Sequence, residues 1–85
     1  MGTTHKYNGN LNILGSVLKE YRLQNDLSLI QLSNKLQLLG IELPAQSIYL
    51  IENNRRVIKD YELAGFIRIL NISLDNLFND FYKSL

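Results

Sequence analysis

Five short stretches with helical periodicity, most of them closed by a residue that favours a helix end, divide this sequence. Their apolar side chains recur at spacings of about three and four residues, so that one face of each helix is apolar. Asn25 with Asp26, then Gly40 and Asn71, close three of the stretches, since these residue types tolerate a left-handed backbone. No stretch alternates apolar and polar residues for long enough to indicate a strand. The predicted fold class is therefore all-α, with five helices and short connections.

The helices are expected in the stretches 11–26, 28–40, 45–53, 59–70 and 73–85. Ser28 and Ser73 are expected to cap the second and the fifth helix, and Pro44 suits the first turn of the third. The predicted inner-face residues, helix by helix, are Leu14, Leu18 and Tyr21; Leu29, Leu32, Leu36 and Leu39; Ile48 and Ile51; and Leu63, Ile67 and Leu70. Packing of these faces has to stabilise the domain alone, because the 85 residues include no cysteine.

Composition limits the class of protein. Hydrophobic residues make up 46% of the chain, which is too much for a disordered segment. We expect one domain over residues 10–85, after a flexible polar tail over residues 1–9. The tail lacks the apolar centre of a signal peptide, and no apolar run approaches the roughly 18 residues of a membrane span. Together with the lack of cysteine, these features predict a cytoplasmic protein that does not associate with a membrane.

Residues with catalytic or metal-binding chemistry are scarce. His5 is the only histidine and there is no cysteine to join it, so no metal site is expected. Asp60 and Glu62 favour the positive start of the fourth helix, which explains them better than an acid–base pair does. No nucleophile lies at a usable spacing from a base, and there is no glycine-rich phosphate loop. We therefore expect a protein that is not an enzyme and has no cofactor.

The third helix has the most informative pattern, because the stretch SIYLIENNRR ends in two asparagines and two arginines. At roughly 100° per residue, Ile48 and Ile51 point to one side and are expected in the core. The opposite side carries Gln46, Tyr49, Leu50 and Asn53. This second face is therefore available to a partner.

A short helix with a polar and aromatic outer face, followed by cations, suits the major groove of DNA. Gln46 can pair in a bidentate way with adenine. Tyr49 is compatible either with a thymine or sugar contact or with an ordinary half-buried position. The phosphate-contacting candidates are Asn53, Arg55, Arg56 and Lys59. The charge distribution agrees with this assignment. Residues 1–59 contain seven Lys or Arg and four Asp or Glu, whereas residues 60–85 contain two and four.

The segments LGSVLKEYRLQNDLS, QLSNKL, SIYLIENN and LNISLDNLF, in this order, resemble the Xre/Cro-type helix-turn-helix repressors of bacteria and their phages. The resemblance covers about residues 11–80. It implies a five-helix bundle of the repressor-like type that binds double-stranded DNA, usually as a homodimer on a two-fold operator. The base-contacting candidates that it implies are Ala45, Gln46, Tyr49 and Leu50. It also implies an ion pair between Arg22 and Glu52.

Four positions depart from the pattern of these repressors. Leu29 stands where glutamine often reaches a phosphate, and Ala45 and Leu50 stand where longer polar or basic residues are common. Asn54 replaces a usual glycine, and it still tolerates a positive φ. The connection between the second and third helices is also longer than usual.

The last helix has more apolar surface than one helix of a small domain can bury internally. It is expected either to be a core helix with an apolar end or to form the dimer interface that the resemblance implies. The interface candidates are Leu74, Phe78, Phe81, Tyr82 and Leu85. Two other functions stay open: a protein-interaction module, such as an antitoxin-like domain that binds a toxin through Tyr49 and Leu50, and the DNA-binding part of a longer sensor.

Overall fold

The computed structural model describes residues 6–85, which contain five helices. These are α1 (Gly15–Gln24), α2 (Leu29–Leu38), α3 (Ala45–Glu52), α4 (Asp60–Leu70) and α5 (Leu74–Ser84). The prediction of an all-helical chain with five helices is confirmed. Within the described range, the one extended pairing is an isolated bridge between Tyr7 and Asn10. His5 and the first part of the expected tail lie outside that range.

The first helix begins later than the sequence pattern suggested, at Gly15 rather than near Leu11. The reason is Asn12, whose Oδ1 accepts the backbone N–H groups of Leu14 at 3.1 Å and Gly15 at 2.6 Å. A side chain that satisfies these N–H groups from outside the helix starts it there. Gly15 also lies against α3, because a Cβ at this position would overlap the carbonyl oxygen of Ile51.

Helix ends elsewhere follow local chemistry. Ser28 accepts the N–H of Gln31 at 3.0 Å, and the Gln31 side chain accepts the N–H of Ser28 at 2.8 Å, which is a complete capping box. Ser73 accepts more weakly from the N–H of Asn76, at 3.5 Å. Asn71 ends α4 with a φ of 54°. At the end of α1 the left-handed residue is Asp26, with a φ of 55°, rather than Asn25.

The core lies where α1, α2, α3 and α4 meet. Its buried apolar residues are Leu14, Leu18, Leu32, Leu36, Leu43, Ile48, Ile51, Phe66, Leu70, Ile72 and Leu77. The expectation for Leu39 was wrong, because this side chain is 49% exposed. Helix α2 ends at Leu38 and the chain turns at Gly40, so the apolar stripe stops at Leu36.

Several predicted inner-face residues lie at the edge of the core instead of its centre. Tyr21, Leu29, Leu63 and Ile67 are partly buried and pack against it. The centre of α4 is occupied by Phe66, which is 1% exposed. Gly65 lets α4 approach α2 closely, since a Cβ there would lie 2.8 Å from the Cδ2 of Leu36.

Helix α5 is attached less extensively than the other four. Leu77 is its one fully buried residue, and Phe78 packs against the core from a half-buried position. In the described part of the chain, no helix combines the length and the apolar character needed to cross a bilayer.

Candidate nucleic-acid interface

The two faces of α3 are separated as the helical wheel predicted. Ile48 and Ile51 are completely buried. Gln46, Tyr49 and Asn53 are exposed on the other side, with Tyr49 at 43%. Ala45 and Leu50 are half-buried at the margins of this face. The helix therefore presents one continuous surface to solvent while the other surface fills the core.

A buried ion pair holds α3 against α1. The Nε of Arg22 donates to the Oε2 of Glu52 at 2.7 Å, and its Nη2 donates to Oε1 at 3.0 Å. The third nitrogen, Nη1, donates to the backbone oxygen of Leu27 at 2.8 Å. Both charged residues are 7% exposed. The two partners implied by the resemblance are thus in direct bidentate contact, and every guanidinium nitrogen has a hydrogen bond.

Three asparagines, which we call the asparagine clamp (Asn10, Asn12 and Asn54), join the start of the domain to the turn after α3. Asn12 donates through Nδ2 to the backbone oxygens of Ile51 at 3.0 Å and Arg56 at 2.8 Å. Since Oδ1 of the same side chain starts α1, one amide connects both elements.

Asn54 completes the clamp from the other side. Its Oδ1 accepts the N–H groups of Leu11 at 2.9 Å and Asn12 at 3.2 Å, and its Nδ2 donates to the Oδ1 of Asn10 at 2.6 Å. Its φ of 59° is the left-handed conformation that the sequence allowed for this position. Sequence reasoning missed Asn10 and Asn12, because no spacing rule relates amides to carbonyls some forty residues away.

The basic turn after α3 contains two arginines in different environments. Arg55 is exposed, and no carboxylate within residues 6–85 lies at ion-pair distance from it. Arg56 instead donates to Glu62 through Nη1 at 2.8 Å and Nη2 at 3.0 Å. Neither partner was expected from the sequence, which assigned Arg56 to a phosphate and Glu62 to the helix dipole. The charge of Arg56 is therefore largely neutralised within the protein.

Glu62 is buried, at 1% exposure, and its ionisation depends on this pairing. Burial by itself raises the pKa of the Glu62 carboxyl. The guanidinium of Arg56 and the backbone N–H of Lys59, which donates to Oε1 at 3.0 Å, outweigh burial and lower the pKa below its usual value. The same hydrogen bond raises the pKa of Arg56. Both groups are consequently charged at neutral pH.

The two remaining phosphate-contacting candidates, Asn53 and Lys59, differ in whether their side chains are already hydrogen-bonded within the protein. Asn53 donates through Nδ2 to the backbone oxygen of Tyr49 at 2.8 Å, and the same oxygen accepts the backbone N–H of Asn53 at 3.1 Å. The Lys59 side chain is exposed, with its Nζ 6.0 Å from the centre of the Tyr61 ring. Arg55 and Lys59 are therefore the two cations available beside the end of α3.

An open groove of about 540 Å³ runs between the N-terminus of α2 and the exposed face of α3. Its lining residues are Arg22, Ser28, Leu29, Ile30, Ala45, Gln46 and Tyr49. Three of the four base-contacting candidates thus share one groove, and Leu50 continues the same face of α3. Ile30, which is 66% exposed, was not singled out from the sequence. The sequence feature that could have identified Ile30 is its position two residues after the N-cap Ser28, in the first turn of α2.

The dimer-interface candidates lie on α5 and at Leu85, which follows its last residue, and they are remote from this groove in sequence. Leu74, Tyr82 and Leu85 are more than half exposed, at 57%, 56% and 79%. Phe78 stacks on Tyr82 with ring centres 5.8 Å apart. Phe81 is covered by the ring of Tyr7 at 5.4 Å, so part of the stretch expected as a tail lies against α5.

Metal ligands do not gather anywhere in residues 6–85, where no group of three histidine, cysteine or acidic side chains is close enough to hold an ion. Comparison of the chain with family models, with curated proteins and with solved structures finds no match.

Proposed function

We propose that the chain is a cytoplasmic, sequence-specific DNA-binding transcriptional regulator, a repressor that occupies a two-fold operator as a dimer. The proposal assigns the five-helix fold to the repressor-like helix-turn-helix type. In this arrangement α3 enters the major groove and α2 crosses the sugar-phosphate backbone. The protein is not an enzyme and uses no cofactor.

The observation that carries the proposal is the exposed face of α3, on a helix whose position is fixed from behind. Gln46 and Tyr49 project from a helix that is held by the Arg22–Glu52 pair and by the asparagine clamp. A helix that is already rigid loses little conformational entropy when it enters a groove, which favours specific binding. A major groove about 12 Å wide admits one such helix.

Electrostatics around this face favour a polyanion. Glu52, the only acidic residue of α3, is neutralised by Arg22. Arg55 and Lys59 lie just after the helix, where side chains reach phosphates more readily than base edges. These cations set the register of the protein on DNA, while Gln46 and its neighbours supply sequence preference.

Dimer formation is assigned to the exposed apolar side chains of α5. Leu74 and Tyr82 of α5, and Leu85 directly after it, are large apolar or aromatic groups at the surface. A second copy that covers them generates the two-fold symmetry that an operator with two half-sites requires.

The test is selection of bound sequences from random duplex DNA, followed by affinity measurements on the enriched operator. We expect a palindromic site, and we expect Gln46→Ala to cost about 1–3 kcal/mol per half-site on that site and little on random DNA. Gln37→Ala is the matched control, because Gln37 is also exposed but lies at the far end of α2. Equal effects of the two substitutions would remove Gln46 from the reading face.

A protein-interaction module is the second candidate, favoured by the apolar lining of the groove between α2 and α3. Leu29, Ile30 and Ala45 line it together with the Tyr49 ring. This candidate replaces the first one if no duplex is enriched at low salt, while a toxin encoded beside the gene copurifies with the wild type and not with Tyr49→Ala.

A further inference from the structure

We infer that the half-site read by α3 is rich in A·T pairs and that the C5-methyl groups of thymine are a main recognition element. The inference rests on the proposed DNA-binding function and specifies its ligand. It follows from which side chains the exposed face and the adjoining groove contain, and from which side chains they lack.

Charged groups that read G·C pairs are missing from this surface. Guanine is read most often by a bidentate arginine or lysine, and cytosine by a carboxylate. Between Ser28 and Asn54 the only charged residues are Lys35, Glu42 and Glu52. Lys35 is in the last turn of α2, Glu42 is in the loop, and Glu52 faces inward.

Arg22 is the one arginine that lines the groove, and it is not available to a base. Its Nε and Nη2 are bound to Glu52, and its Nη1 is bound to the backbone oxygen of Leu27. Its pairing would have to break before it could contact guanine, and that would leave Glu52 buried without a partner. Arg55 follows the helix and is placed for phosphates.

The groups that the surface does contain match A·T pairs. A glutamine such as Gln46 recognises the N6 and N7 of adenine with its amide. Apolar or aromatic groups make up most of the rest: Ala45, Tyr49 and Leu50, with Ile30 on the opposite wall of the groove. Two polar groups, Asn53 and Ser28, are already bonded to backbone groups of their own helix ends. In the major groove, the apolar group that such side chains can contact is the thymine methyl.

The exposed cations that follow α3 favour duplex DNA as the occupant of its outer face. Arg55 and Lys59 follow the C-terminal end of α3 in the chain, and both side chains are exposed. A mainly uncharged helix face with cations after its C-terminal end fits a major groove whose edges carry phosphates, in which thymine methyl groups form the apolar part of the floor.

The experiment uses the full chain and the operator obtained by selection. Each thymine of the half-site is replaced in turn by deoxyuridine, which removes the methyl group and retains base pairing. We expect the dissociation constant to rise about fourfold for each contacted methyl, the value for one buried methylene-sized group. Deoxyuridine placed in the flanking sequence is the control and should leave the dissociation constant unchanged.

A protein variant assigns the methyl contact to the face of α3. Tyr49→Ala should abolish the deoxyuridine penalty at one thymine of each half-site. Tyr61→Ala, which removes a similarly exposed tyrosine from α4, should leave every penalty in place. Because the readout is a ratio of affinities for two DNAs, a general loss of stability or binding does not imitate it.

Three outcomes contradict the inference. A selected half-site centred on G·C pairs overturns it, and so does an operator whose affinity is insensitive to deoxyuridine. In both cases the proposed function stands, because specific DNA binding has been observed. If no duplex is enriched at low salt, the proposed function itself fails, and the inference fails with it.

Discussion

Helices α3 and α5 differ sharply in how they are fixed to the rest of the domain. Helix α3 has two buried isoleucines, a buried bidentate ion pair and the asparagine clamp at its end. Helix α5 has one fully buried residue, Leu77, and several large side chains in solvent. Under the proposed function the two helices have different roles: the firmly anchored α3 presents the reading face, and the less firmly anchored α5 offers apolar surface to a second copy.

The largest effect is expected where α3 is tied to α1. Glu52→Ala leaves the Arg22 guanidinium buried and without its carboxylate, which costs roughly 3–5 kcal/mol for a fully buried pair. Thermal unfolding should therefore occur at a much lower temperature in this variant. Glu20→Ala, which removes an exposed carboxylate from α1, is the control and should have little effect.

Replacement of both partners sharpens this test. The double variant Arg22→Met with Glu52→Leu should recover a large part of the lost stability, because no unpaired charge is then buried. If Glu52→Ala and Glu20→Ala melt at the same temperature as the wild type, the pair does not fix α3.

The next effect concerns the asparagine clamp. Asn12→Ala removes hydrogen bonds to the carbonyls of Ile51 and Arg56 and to the N–H groups that start α1. Each backbone group left without a partner costs about 1–3 kcal/mol where it is buried. We expect a clear fall in the free energy of unfolding in urea. Asn34→Ala, at an exposed position of α2, is the control, and equal midpoints for the two variants would contradict the role of Asn12.

Acid should weaken the attachment between the basic turn and α4. The ordinary pKa of a glutamate, about 4.3, applies to the unfolded chain, and the pKa of Glu62 in the folded protein is lower. The pair's stabilisation is therefore complete above that ordinary value and is lost as the pH falls through the folded pKa. Melting temperatures measured from about pH 7 to about pH 3 should fall less steeply for Glu62→Gln than for the wild type.

Asp60→Asn is the control for this titration, because Asp60 is an exposed carboxylate of the same helix turn. Its melting temperature should follow the wild-type dependence on pH. Parallel curves for Glu62→Gln and the wild type would show that the Arg56–Glu62 pair does not contribute to stability.

The salt dependence of DNA binding should distinguish the two arginines of the turn. Three cations per subunit, as expected from the sequence, give a slope near −5 for a dimer in a plot of log affinity against log salt. With Arg56 neutralised by Glu62, Arg55 and Lys59 give about −3.6. Arg55→Ala should flatten the slope by about two per dimer, and Arg56→Ala should change it little. The reverse result would mean that Arg56 leaves Glu62 when DNA binds.

The smallest effect on stability is expected in α5. Tyr82→Asp changes a side chain that is 56% exposed, so the free energy of unfolding of the monomer should shift by no more than about 0.5 kcal/mol. Sedimentation should nevertheless show a shift from dimer to monomer, because the new charge lies in an apolar contact. Phe78→Asp is a less suitable variant, since Phe78 also packs against the core. Even a weak interface is expected to hold the dimer at protein concentrations on the order of tens of micromolar. A wild type that is monomeric at such concentrations contradicts the dimer.

The sequence by itself determined those features that depend on residues within about one helical turn of each other. Helical periodicity predicted the five helices and the inward and outward faces of α3, because side chains three or four residues apart share a face. The capping box at Ser28 and the left-handed end of α4 at Asn71 are equally local. The exposed Leu39 is an error in this class, because α2 ends at Leu38, two residues before the predicted end at Gly40.

Only the tertiary structure decided which polar groups meet. Asn12 and Asn54 bond to partners some forty residues away, and nothing in the spacing of an amide specifies a distant carbonyl. Arg56 and Glu62 are six residues apart, yet their contact depends on the path of the chain between α3 and α4. Arg56, which the sequence offers as a free cation, is therefore neutralised in the fold. The reason is that Glu62 is buried, and a buried carboxylate is far more stable with a charged partner than without one.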